Sequence, residues 1–300
     1  MNNRFENIAD AFRGTLLLNE PMSRHTSLRV GGIVDLYAIP MDLDDLLLLV
    51  NWLDLEQMPR MIVGGGYNLL VRDGGIRGAV VSLEKLDTIE KLEPFCIKAW
   101  AGAENLAVVR FGQQLALGGV GFISGIPGTI GGAIRMNAGA YGNGLLEHVL
   151  SLTILRNGAV KELERSHINY GYRYLELDPG DIILAATLEL EPREPLDTED
   201  EIRRDLELRR ARHNVGFPSA GSFFKNPGGK AAWKLIDEAG MRAFTVGGAQ
   251  MSEIHSNFLV NRGSGTATDC LTLARLVKEA VFLTSGVQLE EEVRIVGEEP

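Results

Sequence analysis

Cysteine is nearly absent from this 300-residue chain: Cys96 and Cys270 are the two, far apart and in no CxxC pattern. That argues against a disulfide framework or a structural zinc site and for a reducing compartment. The five histidines (His25, His148, His167, His213, His255) show neither HxxxH nor HxH spacing, so no metal is expected. Positive charge is in deficit. The formal net charge is −10, which argues against nucleic acid or an anionic membrane as partner while leaving local basic sites for a small anion open. Met1–Asp10 carries Glu6 and Asp10 and lacks an apolar h-region, so no secretory signal is expected and the cytoplasm is the expected location. One uncharged run, Gly112–Ile134, is long enough to span a bilayer. Residues 118–132 hold seven glycines and Pro127, however, which makes a poor helix, so no membrane span is expected. No Walker loop and no G-x-S-x-G elbow occurs.

What is present is a composition with 45% hydrophobic and 23% charged residues, that of a globular chain able to bury a core without staples. The first 85 residues read as a small α/β unit. Short strands are expected at Leu28–Val30 and Ile33–Tyr37, on either side of Gly31-Gly32. A helix over 42–56 starts acidic and continues with a leucine stripe. Strands follow at Met61–Val63 and Ala79–Leu83. The texture then changes. Strands are expected at Cys96–Ala101, Leu150–Leu155 and Asp181–Leu190, with a helix at Glu104–Leu117. Asn157-Gly158 is a hairpin turn. Residues 194–212 form a charged helix, read as a solvated connection. A third region holds an amphipathic helix near 230–239, a strand at Phe258–Val260 and a helix at Asp269–Thr284. Its apolar stripe is Leu271, Ala274, Val277 and Val281. The tail, Gln288–Val296, returns to strand. These segments define expected domains at 1–85, 86–200 and 201–300.

Three segments carry candidate chemistry. Gly64-Gly65-Gly66-Tyr67-Asn68-Leu69 follows a strand, and successive glycines let the backbone approach an anion closely. It is not a Rossmann fingerprint, and on pattern alone it serves equally as a tight structural turn. Gly125-Ile126-Pro127-Gly128-Thr129-Ile130-Gly131-Gly132 is a second such segment. Two glycine loops in different parts of the chain fit one long ligand, such as a dinucleotide. Ser219–Pro227 places a hydroxyl (Ser222), an ammonium (Lys225) and a carboxamide (Asn226) close together. Gly221 and Asn226-Pro227 argue for a loop or strand end. Ser222-Phe223-Phe224-Lys225 also matches S-x-x-K, but the SDN and KTG companions of acyl-serine enzymes are missing. Arg173 lies among Tyr170, Tyr172 and Tyr174. By pattern alone it is better read as an arginine packed along tyrosines than as a charge clamp. Glu290-Glu291-Glu292 reads as a solvated acidic end whose first and third members share a face in a strand.

In combination these segments resemble the UDP-N-acetylenolpyruvoylglucosamine reductase (MurB) family. The matching stretches are HTSLRVGG (25–32), VGGGYNLLVRDGG (63–75), GIPGTIGGAIRMNAGAYG (125–142), GYR (171–173), PSAGSFFKNP (218–227) and LEEEVRIVG (289–297). They cover nearly the whole chain in family order. The resemblance implies an α+β fold with a two-part FAD-binding region of the vanillyl-alcohol-oxidase/PCMH type and a C-terminal α+β substrate-binding domain. The compact link between GYR and PSAGS is similar to the shorter subtype, and the tail 286–300 is expected near the active site.

The implied activity is an NADPH-dependent, FAD-mediated reduction of UDP-N-acetylglucosamine-enolpyruvate to UDP-N-acetylmuramate in peptidoglycan precursor synthesis. Flavin N5 would give hydride to C3, and Ser222 a proton to C2. By the same resemblance Arg173 and Glu292 are catalytic. Gly64 to Leu69, Gly125 to Thr129, Gly131, Gly132, Asn137 and Gly139 hold FAD, and Lys225 and Asn226 lie near the substrate's phosphates and carboxylate. No protein partner is implied. The chain departs from the family at Tyr67, where serine or threonine is frequent, at Leu175, where serine is common, and at His213-Asn214, in place of Gln-Pro. Two other readings stand beside this one: another flavoenzyme on the same fold, and a non-catalytic nucleotide-sugar binder.

Overall fold

The structure, a computed structural model, describes residues 6–300, without the side chains at 6, 7, 212 and 213. The N-terminal reading at residues 1–5 and the side chain of His213 thus lie outside the described residues.

In chain order, β1 (Thr15–Pro21) and β2 (Ile33–Ile39) precede α1 (Leu43–Leu55). Asp42 caps α1 by accepting from the Asp45 N–H at 3.0 Å, and Leu46, Leu49 and Leu53 are buried along one face. Then come β3 (Arg60–Val63), β4 (Leu69–Val71), β5 (Ile76–Ser82), β6 (Ile89–Leu92) and β7 (Cys96–Trp100). Two helices follow, α2 (Asn105–Gln114) and the short α3 (Ile130–Arg135). β8 (Val149–Arg156) and β9 (Ala159–Glu164) pair antiparallel. Their turn is Asn157-Gly158 with φ of 52° and 74°, the left-handed pair that a two-residue hairpin requires. After β10 (Ile182–Glu189) and α4 (Pro195–His213), the remaining elements are β11 (Ser219–Ser222), α5 (Ala232–Glu238), β12 (Thr245–Val246), β13 (Ala249–Met251), β14 (Phe258–Asn261), α6 (Ala267–Ser285) and β15 (Arg294–Val296).

The chain forms two compact units. The first takes residues 1–17, 36–65 and 79–207. Its five-stranded antiparallel sheet has the order β9-β8-β10-β7-β6. One core gathers Ile97, Val108, Ile130, Leu152 and Leu188, and another gathers Leu36, Leu46, Leu49, Val81 and Leu184. A second sheet is ordered β1-β2-β5-β3. β3 runs parallel to β5, Arg60 opposite Ala79.

The second unit takes residues 18–35, 66–78 and 208–300. Its sheet is β11-β14-β13-β12, and β15 adds in parallel to β4, Arg294 opposite Leu69. α6 carries a capping box of Thr266 and Asp269 and ends on Gly286 at φ 67°. Asp73 adds a further anchor to its first turn, accepting from the N–H groups of Ala267 and Thr268 and from Thr268 Oγ1 at 2.7–2.9 Å. The core beneath contains Leu28, Leu70, Phe223, Phe224, Leu259, Leu273 and Val277.

Four local expectations need correction. Leu28–Val30 is a turn, not a strand: Arg29 has φ 55°, its N–H donates to Thr26 O, and Thr26 Oγ1 donates to Val30 O. Only Arg294–Val296 of the tail is strand. Upstream of it Glu291 makes a single antiparallel bridge with Phe224. In α6 the buried stripe is Cys270, Leu273, Ala274, Val277 and Val281, with Leu271 only partly covered. Finally, α4 is not solvated all round, because Thr198, Ile202 and Asp205 are buried on one face. Among the described residues no helix is long and apolar enough to cross a membrane, and no group of three or more His, Cys, Asp or Glu could hold a metal ion.

Candidate functional site

The glycine segments of the first unit are held by hydrogen bonds that local patterns do not announce. β3 ends at Val63, and Gly64 follows with no room for a side chain: a Cβ there would lie 2.5 Å from Thr129 Oγ1. Thr129 is buried, and among the described residues its hydroxyl has no hydrogen-bond partner. A buried hydroxyl left unpaired costs stability unless a ligand or water satisfies it. The open backbone at Gly64 and that hydroxyl therefore fit a polar cofactor group such as a dinucleotide phosphate. Asn105, also buried, braces the second glycine segment. Its Nδ2 donates to Ile126 O and its N–H to Gly128 O, both at 3.0 Å. Gly128 has φ 129°, a conformation that excludes side chains. Gly131 serves the protein itself: its N–H donates to Ala101 O at 2.9 Å, and a Cβ would sit 2.8 Å from Ala101 Cβ.

Downstream, Asn137, Gly139 and Arg173 are brought together. Arg173 Nη1 donates to Asn137 O at 3.0 Å and Nη2 to Gly139 O at 3.2 Å. The guanidinium also lies over the Tyr172 ring, 5.2 Å from its centroid. Both ends of the Asn137 carboxamide are used, Nδ2 donating to Gly171 O and Oδ1 accepting from the Leu146 N–H. Arg173 is thus both packed on a tyrosine, as its pattern predicts, and oriented by two carbonyls.

In the second unit Gly66 (φ 65°) presses on the backbone at His25, where a Cβ would fall 1.9 Å from His25 O. Its own carbonyl accepts from the Ser27 N–H. Ser27 Oγ donates to Tyr67 O, while the Tyr67 ring is exposed. Asn68 reaches the tail: Nδ2 donates to Glu292 O at 3.0 Å, and Asn68 O accepts from the Arg294 N–H. Arg209 of α4 is half-buried. Burial pulls its guanidinium pKa down and the nearby Tyr67 phenol opposes that shift.

Ser222 ends β11, opposite Phe258 of β14. Gly221 before it has φ 79°, and among the described residues no hydrogen-bond partner meets the Ser222 hydroxyl. Phe223 and Phe224 are fully buried and anchor the segment. The tail lies along it, with the Glu292 N–H donating to Phe223 O at 2.8 Å and the Lys225 N–H to Glu290 O at 2.9 Å. Lys225 Nζ pairs with Glu290 at 3.2 Å, and Lys278 pairs with Glu291 at 2.9 Å. Asn226 Oδ1 accepts from the Ala232 N–H at the start of α5. The fold therefore gathers Ser222, Lys225, Asn226, Glu292, Asn68 and Leu69 in one unit. Asn257 completes this arrangement and carries no sequence signal of its own. Its Oδ1 accepts from the Phe224 N–H at 3.0 Å, and its Nδ2 donates to Phe224 O at 2.8 Å.

The FAD binding domain family matches residues 34–164, and the C-terminal domain of UDP-N-acetylenolpyruvoylglucosamine reductase matches residues 213–296. The UDP-N-acetylenolpyruvoylglucosamine reductase of Pelobacter propionicus is 64% identical over 287 residues, 96% of this chain and 97% of that protein. That of Geobacter sulfurreducens is 48% identical over 300 residues, all of both chains. The crystal structure of the Thermus caldophilus reductase (MurB) superposes with a TM-score of 0.80 at 29% identity, over 96% of this chain and 99% of that one.

Proposed function

This chain belongs to the UDP-N-acetylenolpyruvoylglucosamine reductase family, and we propose that it reduces UDP-N-acetylglucosamine-enolpyruvate to UDP-N-acetylmuramate with NADPH as reductant. The fold is the expected α+β, with an FAD-binding region and a C-terminal family domain. The reaction serves peptidoglycan precursor synthesis, in the cytoplasm and with no obligatory protein partner. The proposed division of labour gives 1–85 and 86–200 to the cofactor and 201–300 to the substrate.

When bound, FAD supplies hydride from N5 to C3 of the enolpyruvyl group, having taken it from NADPH. Everything else falls to side chains and backbone. Gly64 to Leu69, Gly125 to Gly132, Asn137 and Gly139 hold the cofactor, and Thr129 Oγ1 donates to one of its polar groups. Hydride arrival at C3 leaves an enolate-like C2. Carbon of that kind is basic enough to take a proton from a weak acid held in place, and Ser222 supplies it. Arg173, oriented by the Asn137 and Gly139 carbonyls, stabilises the developing negative charge. Glu292 positions or protonates the carboxylate end. Lys225 and Asn226 receive the phosphates and carboxylate of the substrate, Lys225 exchanging Glu290 for them.

One observation carries this reading: the Glu292 N–H donates to the carbonyl of Phe223, the residue after Ser222. It joins the backbone beside Ser222 to the backbone of Glu292, from distant parts of the sequence, which supports a joint role for the two residues. The test is anaerobic stopped-flow absorbance in the flavin band. NADPH should bleach the flavin, and UDP-N-acetylglucosamine-enolpyruvate should restore it. Bleaching without recovery would leave a flavoprotein with another acceptor, and a protein that stays colourless after added FAD would be a binding module.

A further inference from the structure

The segment from Phe223 to Lys225 has two edges, and the structure closes each differently. Along one edge, Phe223 O and the Lys225 N–H are taken by the tail at Glu292 and Glu290. Backbone groups alternate in direction along an extended chain, so the N–H and C=O of Phe224 point the other way. Among the described residues no strand meets them there. The carboxamide of Asn257 does, accepting at 3.0 Å and donating at 2.8 Å. The backbone of Asn257 extends the same contact, its carbonyl accepting from the Phe223 N–H at 2.7 Å. Asn257 is 3% exposed, so water does not compete.

We infer that Asn257 is a positioning residue for proton delivery, acting as a one-residue strand that sets Ser222 and Lys225 against the tail carrying Glu292. The inference rests on the proposed reductase reaction. A carboxamide suits the task because it offers one acceptor and one donor side by side, as a peptide group does. A carboxylate of the same shape offers only acceptors and faces Phe224 O without a proton to give. Ser222 immediately precedes the two residues clamped in this way. A shift of the clamp therefore moves the hydroxyl relative to the carbon it protonates, and a displacement near 1 Å costs about a hundredfold in such a transfer. The hydrogen bonds of Asn257 among the described residues join it to the second unit, so flavin reduction by NADPH, which needs no proton from Ser222, is spared.

The experiment compares wild type, Asn257→Asp and Asn257→Ala as FAD-loaded full-length proteins in the two half-reactions. Wild type must first be reoxidised by UDP-N-acetylglucosamine-enolpyruvate; if it is not, the reductase reading itself has failed. With that control met, reduction by NADPH is expected within about twofold of wild type. Reoxidation at saturating substrate is expected to slow by about tenfold to a hundredfold, with little change in half-saturating concentration and a larger solvent deuterium isotope effect. Asn257→Asp keeps the shape of the side chain and serves if Asn257→Ala does not fold. Unchanged reoxidation in a folded variant would overturn the inference. So would equal slowing of both half-reactions with an unaltered isotope effect, which marks a merely structural role.

Discussion

Gly64→Ala places a methyl group 2.5 Å from Thr129 Oγ1, about 1 Å inside an ordinary contact. Nothing else crowds that methyl, since Thr129 Cβ lies at 3.8 Å and the Gly132 N at 3.9 Å. Relief requires Thr129 to leave its rotamer or the two segments to part, at a cost of about 1–3 kcal/mol. The hydroxyl that clashes is the same one left unpaired among the described residues. Thr129→Ala therefore removes no protein hydrogen bond and should change the stability of the FAD-free protein by less than about 1 kcal/mol. It should weaken FAD binding by about 1–2 kcal/mol, roughly fivefold to thirtyfold, if the hydroxyl serves the cofactor. The double variant loses the clash but not the missing hydrogen bond. It should regain the stability of Thr129→Ala and show that variant's FAD affinity. Flavin fluorescence titration of the FAD-free protein measures affinity, and urea unfolding measures stability. The reasoning is refuted if Thr129→Ala binds FAD as wild type does, or if the double variant is no more stable than Gly64→Ala.

Ser222→Ala should leave bleaching by NADPH intact and slow recovery by the enolpyruvyl substrate by about 10²–10⁴-fold; equal loss of both phases in stopped flow would remove the proton-donor role. At Asp73, burial pushes the carboxyl pKa up, but hydrogen bonds from the Thr268 side chain and from the N–H groups of Thr268 and Ala267 outweigh it and hold the group below its usual range. A depressed carboxyl stabilises the fold above its unfolded pKa and loses that contribution as pH falls through the folded value. Asp73→Asn should thus cost about 1 kcal/mol at pH 7. The gap should close from about pH 4 downward in urea titrations, and a gap unchanged at pH 2 would contradict the assignment. Burial raises the Cys270 thiol to about 12 and also raises Cys96. Iodoacetamide at pH 8 should therefore label neither cysteine until denaturant is added, as read by mass spectrometry.

The elements legible in the sequence were those whose signals are local. Asp42 before a leucine stripe marks α1, and Asn157-Gly158 marks the β8–β9 hairpin. The family resemblance supplied the proposed site residues as well, because its motifs run along nearly the whole chain. What local patterns leave out is pairing between distant segments. Residues 18–35 and 66–78 join the C-terminal segment in one unit through such contacts as Asp73 on α6 and Asn261 Nδ2 donating to Leu28 O. A lone aspartate in a glycine turn and an asparagine in an apolar strand look the same with or without these partners. Asn105 and Asn257 were overlooked for that reason: each is a single polar residue whose value lies in the carbonyl or N–H it meets.

The three tail glutamates show the same limit at one site. A regular strand would place Glu290 and Glu292 on one face by alternation alone. The observed tail is not a strand at these residues and is held instead by one bridge at Glu291 and two ion pairs. Lys278 of α6 pairs with Glu291, and Lys225 pairs with Glu290. Glu292 is fixed in sequence between Glu291 and the buried Val293, and its backbone is fixed by Phe223 and Asn68. The catalytic role proposed for it therefore depends on neighbours from Asn68 to Lys278 rather than on acidity, since all three carry the same group. Moving the acid by one position, as in Glu292→Gln with Val293→Glu, should not restore reoxidation, because the new carboxylate would enter the buried core beside Phe223 and Leu289. Recovery in that double variant would show that charge near the tail suffices and that register does not matter.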